Sequence, residues 1–216
     1  MKIVLFGATG NVGRRVAAEA LSRGHEVVGV VRDPATGAAS DARIRLVKGD
    51  ATNADSVAEL VRGADAVVSA ISPRTNARGL AAPSLVQNAR AIIAGLGRTG
   101  VKRVLFVGGA GSLEVAPGRQ LVDQPGFPEA YKAEALEGRE ALEVWRAEGG
   151  GLDWSFLSPA AEIAPGERTG RYRTTGDQLL LDAAGRSFIT FEDYAVAVLD
   201  ELERPRHIRR RFGVAY

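Results

Sequence analysis

Three glycines near the amino terminus carry the most legible chemistry in this sequence. Gly7, Gly10 and Gly13 stand three residues apart in G-A-T-G-N-V-G. An apolar stretch, Lys2 to Phe6, runs into them, and a helical pattern opens after them at Arg14. A strand, a glycine turn and a helix start, in that order, suit the pyrophosphate of a dinucleotide. Gly7 allows the tight turn, Gly10 lets the backbone approach the phosphates, and Gly13 lets the helix pack closely on the strand. The free N–H groups and the dipole at the helix start then favour an anion. The plainer alternative is an ordinary glycine-rich turn. The flanking strand and helix weigh against it.

The second strand, Glu26 to Val31, ends in Arg32-Asp33-Pro34. A carboxylate at such a strand end binds the ribose 2′-OH of NAD, and an arginine there accommodates the 2′-phosphate of NADP. Arg32 comes first after the strand, so NADP(H) is favoured over NAD(H), with Arg14 or Arg15 placed to assist. The competing reading makes Arg32 a solvated loop residue and Asp33 the cap of a turn before Pro34. Asp50, in G-D-A-T after the third strand, is placed either to accept from the adenine amino group or to form a turn; both readings stand.

At the far end of the site the residues are fewer. The fifth strand, Arg103 to Val107, ends in Gly108-Gly109-Ala110-Gly111-Ser112. Those glycines keep side chains away from a flat ring, and Ser112 is the first hydroxyl beyond them. A Tyr and a Lys four residues apart on one helix can serve carbonyl reduction, since Lys lowers the Tyr pKa and Tyr protonates the carbonyl oxygen. Here Tyr131 and Lys132 are adjacent and point about 100° apart. Pro128 precedes Lys132 by four and Ala135 follows Tyr131 by four, and the other lysines of the chain's four offer no second pair. Reducing a simple ketone needs such an acid. Hydride transfer to a flavin or quinone spreads charge over the acceptor's own rings and needs positioning more than a proton donor. Tyr131 is expected to pack against a loop rather than stack on a ligand.

The elements that hold these residues alternate. Val12, Val16, Ala17, Ala20 and Leu21 share a helical face, and Gly24 closes that helix. Further strands are expected at Ile44 to Lys48, Ala66 to Ala70, and Asp153 to Leu157. Helices are expected after a cap at Thr52 or Asn53 through about Arg62, from Ser84 to Leu96, and from Glu129 to Ala147. Near-continuous apolar strands between helices imply a Rossmann-like α/β fold: a doubly wound parallel sheet with helices on both faces. Arg74 to Pro83 reads as a polar loop, and Leu113 to Pro128 as a loop over the site. Beyond Ala160 short strands (Gly170 to Arg173, Ser187 to Thr190), a helix (Glu192 to Leu202) and an edge strand within Arg206 to Val214 form a small C-terminal extension on the substrate side. His25 is expected at the surface, and Arg209-Arg210-Arg211 as a solvated face. A single domain over 1–216 is expected.

Bulk properties narrow the classes. The 216 residues carry a formal net charge of +2, no cysteine and two histidines. Thiolate metal sites are excluded and a histidine cluster is not expected. The charge balance does not suggest nucleic-acid binding. The initial apolar run is too short for a signal peptide core and no run reaches membrane-span length, so a cytoplasmic location without membrane partners is expected. The oligomeric state is open.

With its strand–helix alternation, G-A-T-G-N-V-G, V-V-R-D-P and G-D-A-T, the chain resembles the atypical short-chain dehydrogenase/reductases. It is most similar to the NAD(P)H-binding group called NADH-flavin reductases, with the flavin/biliverdin reductase B type as a relative. V-G-G-A-G-S-L, D-W-S-F-L-S-P-A, P-G-E-R-T-G-R-Y-R and E-D-Y-A-V-A carry the resemblance along the whole chain. It implies that Gly7, Thr9, Gly10, Asn11, Val12 and Gly13 hold the pyrophosphate and Arg32 the 2′-phosphate. Asp50 and Ala51 would flank adenine, Ala70 and Ile71 would cover the ribose, and Gly109, Ser112 and Pro159 would lie toward the nicotinamide. The expected activity is hydride transfer from NADPH to a small-molecule acceptor, either a flavin or a quinone-like compound, without a Tyr–Lys pair. A non-catalytic NADP-binding regulator or redox sensor is the alternative. A sugar-nucleotide epimerase is disfavoured, because it relies on the missing pair and on a larger C-terminal lobe.

Overall fold

The computed structural model describes residues 1–34, 41–73 and 83–216. The polar loop expected over 74–83 lies, apart from Pro83, outside the described residues. The elements run β1 (Lys2–Phe6), α1 (Asn11–Ser22), β2 (Glu26–Val31), β3 (Arg45–Lys48), α2 (Ala54–Leu60), β4 (Ala66–Ser69), α3 (Leu85–Gly97), β5 (Arg103–Val107), β6 (Glu114–Ala116), β7 (Arg119–Gln120), α4 (Glu129–Glu148), β8 (Asp153–Ser158), β9 (Glu162–Ala164), β10 (Arg173–Thr175), β11 (Phe188–Thr190), α5 (Phe191–Glu203) and β12 (Arg210–Ala215).

Eight strands form one sheet in the order β10-β12-β8-β5-β4-β1-β2-β3. All neighbours are parallel except β10, which runs antiparallel to β12. The chain leaves β1 toward β2 and β3 on one side, then crosses to β4 on the other. That reversal opens a crevice at the carboxyl ends of β1 and β4, the place where ligands bind in such sheets.

Alternation along the strands sends side chains to two cores. From β1, Ile3 and Leu5 join Val16, Ala17 and Ala20 of α1 and Tyr194, Val198 and Leu199 of α5. Val4 and Phe6 join Val57 of α2, Ala89 and Ile92 of α3, and Leu142 and Trp145 of α4. Each of the large side chains contributes about 1.5–3 kcal/mol by leaving water. Stacked Phe106 and Phe156 (centroids 5.5 Å apart), with Trp145 tilted 5.7 Å from Phe106, lock α4 onto β5 and β8. Three helix starts are capped as their sequences allow: Asn53 accepts from Asp55 and Ser56 N–H, Ser84 from Gln87 N–H, and Thr190 from Asp193 N–H.

Several expectations at the carboxyl half need correction. The strand near the end of the chain, β12, is interior and not an edge, because β10 covers its outer side. The pairing begins at Arg173, so most of the 170–173 alternation precedes the strand. Arg211 is 5 % exposed and not part of a solvated face. Its Nε donates to Asp177 Oδ1 at 2.7 Å, while burial pulls the guanidinium below its usual range. No correction falls on His25, which is half-buried near the surface between the terminal amine (3.2 Å) and Glu203 (2.7 Å). The stretch 113–128 is not a plain loop over the crevice. It forms the β6–β7 hairpin, whose Glu114 pairs with residues 177–179, and Leu113 packs at Gly213 of β12.

Candidate functional site

The turn between β1 and α1 is built as its glycines require. Gly7 has φ +80°, and a Cβ there would sit 2.5 Å from Ala70 O. A Cβ on Gly13 would fall 2.0 Å from Gly7 O, so α1 can approach β1 this closely only without one. Gly10 is different: its Cβ would meet only Gly7 O, at 3.3 Å, and otherwise points to open space. Gly10 N–H donates to Gly7 O and Arg14 N–H to Gly10 O, both at 3.0 Å. The start of α1 has no side-chain cap and no acidic residue in its first turn. Among the described residues the N–H groups of Asn11, Val12 and Gly13 have no protein acceptor. Thr9, Gly10 and Asn11 are exposed beside them. The turn is therefore a cradle of bare amides at the positive end of a helix, suited to a diphosphate.

Of the two arginines expected to assist, Arg15 is committed elsewhere. It donates to Glu192 at 2.9 Å and to Asn11 O at 3.1 Å, and lies over the Phe191 ring. Burial works to raise the Glu192 carboxyl, but bonds from Arg15 and Gly166 N–H bring it below the usual range. Arg14 donates to Asn11 Oδ1 at 3.0 Å and stays at the turn.

Beyond β2 and β3 the structure brings Arg32 and Asp50 together. Both line a cleft of about 580 Å³, along with Lys48, Thr52, Ser84 and Gln87. Asp50 forms the turn: its Oδ1 accepts from Thr52 N–H (2.8 Å) and Thr52 Oγ1 (2.7 Å), and its own N–H donates to Ser56 Oγ. Oδ2 has no protein partner among the described residues, so the turn leaves one oxygen for a ligand. Ala51 and Ala70 are buried, with Ile71 half-buried after β4. Fully buried Asn88 ties these strand ends together: Nδ2 donates to Ala51 O and Oδ1 accepts from Ser69 Oγ, both at 2.7 Å. The sequence reading missed Asn88 and Lys48. Asn88 looks like any polar residue in a helix until its two partners, from separate strand ends, are known.

At the other end of the crevice, nothing lies within 4 Å of a Cβ placed on Gly109, so the space over it is open. Gly108 is required by packing instead, since its Cβ would overlap the Phe156 ring at 1.9 Å. Ser112 departs from expectation. It is 2 % exposed, and Arg211 donates to its Oγ at 3.4 Å and its carbonyl at 3.3 Å. Its hydroxyl serves the hairpin anchor rather than an open ring site. Tyr131 stands half-exposed on the first turn of α4. Lys132 is exposed 3.9 Å from Glu129. Ala135, four residues after Tyr131, lies where a Gly111 Cβ would be 2.6 Å from it, which leaves no room for a lysine. Pro159 is buried just past β8. A separate groove of about 890 Å³ between residues 118–123 and the outer side of α4 holds none of the expected cofactor residues.

A doubly wound sheet with an uncapped glycine turn at its topological switch point defines a dinucleotide-binding α/β protein. The chain belongs to the NAD(P)H-binding family, whose model matches residues 7–205. Similar solved structures include a candidate exported protein of Burkholderia pseudomallei (48% identity, all of both chains, TM-score 0.89). A candidate epimerase of Bacteroides thetaiotaomicron is 41% identical over all of this chain and 96% of its own, with TM-score 0.88. A candidate NADH-flavin reductase of Streptococcus pneumoniae TIGR4 is 33% identical over all of this chain and 99% of its own, with TM-score 0.84. The family is that of atypical short-chain dehydrogenase/reductases, and the two names that state a reaction disagree about it. Among the described residues no helix is long and apolar enough to cross a membrane.

Proposed function

We propose that this protein is an NADPH-dependent reductase that passes hydride to a flavin or quinone-like small molecule. The observation that carries the reading is the contrast between the two ends of the crevice. One end has a complete anion cradle at Gly7 to Gly13. The other has open space over Gly109 and no Tyr–Lys pair to protonate a carbonyl. In this reading bound NADPH supplies the hydride. Bare amides of Asn11, Val12 and Gly13 hold its pyrophosphate, Arg32 meets the 2′-phosphate, and Asp50 Oδ2 and Ala51 flank adenine. Ala70 and Ile71 cover the ribose, and Gly109 and Pro159 bound the ring end. The acceptor takes the hydride into its own conjugated rings, and solvent supplies the proton. The Streptococcus relative's name supports a flavin acceptor; the Bacteroides relative's name does not.

The test follows NADPH absorbance with FMN, riboflavin and a quinone panel. Turnover above the uncatalysed rate with at least one acceptor is expected. Binding of NADPH with background rates for every acceptor would instead favour a non-catalytic regulator or sensor, a reading that the burial of Ser112 supports. A cytoplasmic location goes with the reductase reading, since a reduced nicotinamide pool is available there. The Burkholderia relative's name points outward, and fractionation of cells making the full chain decides between them.

A further inference from the structure

Lys48 is the second cation of the cleft that holds Arg32 and Asp50. It ends β3 opposite Val31, the last residue of β2, and Gly49 N–H donates to Val31 O at 2.9 Å. Arg32 and Lys48 thus leave neighbouring strand ends, about 4.8 Å apart across a sheet. Some cations of the chain are paired, as Arg23 is with Glu19 and Asp200, Arg139 with Asp123, Arg168 with Glu19 and Arg103 with Glu201, whereas others, Arg45 of the same strand among them, have no ion pair among the described residues. Lys48 has no ion pair among the described residues. Of the acids in the flanking turns, Asp41 is paired with Arg43 and Asp55 with Arg98, while Asp50 accepts from neutral Thr52 through Oδ1 and keeps Oδ2 toward the cleft. An unpaired lysine beside an arginine in a polar cleft is a site for a dianion.

We propose that Lys48 reads the 2′-phosphate of NADP together with Arg32, as a specificity-determining residue carried by the third strand. The inference rests on the NADPH reading above. A 2′-phosphomonoester carries about −1.5 to −2 charges at neutral pH. One guanidinium leaves much of that charge unmatched. Arginine brings a planar fork that grips two oxygens, and lysine brings a compact charge on a flexible stem. The pair divides geometry and charge between them.

Calorimetric titration of the full chain with 2′,5′-ADP and with 5′-AMP, which lacks the 2′-phosphate, tests this. The wild type is expected to prefer 2′,5′-ADP. Lys48→Ala should weaken 2′,5′-ADP by about fivefold to tenfold, the scale of one charge contact near a protein surface. It should leave 5′-AMP within about twofold, and Lys48→Arg should restore the preference. If Lys48→Ala discriminates as the wild type does, or weakens both ligands equally, the role of Lys48 is refuted while the NADPH reading stands. If the wild type itself shows no preference, the NADPH reading falls, and the role of Lys48 with it.

Discussion

Adding one methyl group at each of two glycines separates packing from ligand contact. In Gly13→Ala the new Cβ would lie 2.0 Å from Gly7 O and 2.8 Å from Gly7 C. Ordinary contact needs more than 3.4 Å, so α1 must retreat from β1 by over an ångström. Backbone cannot yield as a flexible side chain would. Overpacking of this kind costs about 1–3 kcal/mol. For a chain of this length that lowers the melting midpoint by roughly 2–12 °C. The retreat also moves the bare amides at the start of α1, so NADPH binding should fall with stability. Gly10→Ala gives the contrast. Its Cβ meets only Gly7 O, at 3.3 Å, a contact relieved by a shift of a few tenths of an ångström. The melting midpoint should change by no more than about 2 °C, within about 0.5 kcal/mol. Its methyl group nevertheless occupies the approach to the diphosphate, and NADPH affinity should drop at least about tenfold, 1.4 kcal/mol. Thermal unfolding followed by circular dichroism, paired with titration of NADPH fluorescence, measures both quantities on the same samples. An unchanged NADPH affinity in Gly10→Ala would refute the assignment of the pyrophosphate to this turn.

Arg32→Asp should move the ratio of NADPH to NADH affinity toward NADH by at least about tenfold, 1.4 kcal/mol; an unchanged ratio means that Arg32 does not meet the 2′-phosphate. Asn88→Leu strips partners from Ala51 O and Ser69 Oγ, at about 1–3 kcal/mol for each buried group left unpaired. Urea denaturation and NADPH titration should therefore both show losses, and an unaffected midpoint would show that Asn88 does not brace the strand ends. Glu19 offers a pH test. Arg168, then Arg23, hold its carboxyl below the ordinary 4.5 against the effect of burial. A carboxylate with a lowered folded value stabilises the protein above its unfolded pKa and loses that contribution as pH falls through the folded value. Glu19→Gln should be less stable than the wild type at pH 7, and the gap should narrow as the pH drops below about 4.5; a constant gap from pH 7 to pH 3 would show that the paired charge contributes nothing.

Local signals determined much of this protein. The glycine triplet, the strand before it and the helix after it lie within a dozen residues, and their geometry follows from backbone sterics at Gly7 and Gly13. The apolar runs of β1, β2, β4, β5 and β8 declared strands covered on both faces, and with them the doubly wound sheet. Arg32 and Asp50 were expected at strand ends, where ligands bind in such sheets, and the structure places both in one cleft. What only the tertiary structure decided involves partners distant in sequence. Ser112 reads as a free hydroxyl until Arg211, 99 residues later, is found bonded to it. Arg211 reads as one of three surface arginines until β10 closes over β12 and Asp177 meets it. Lys48 and Asn88 have no motif; one gains meaning from the neighbouring strand end and the other from joining two turns. Periodicity reports which face of an element is apolar. It carries no information about which buried polar groups will meet across the sheet, because that depends on the order in which the strands are laid side by side.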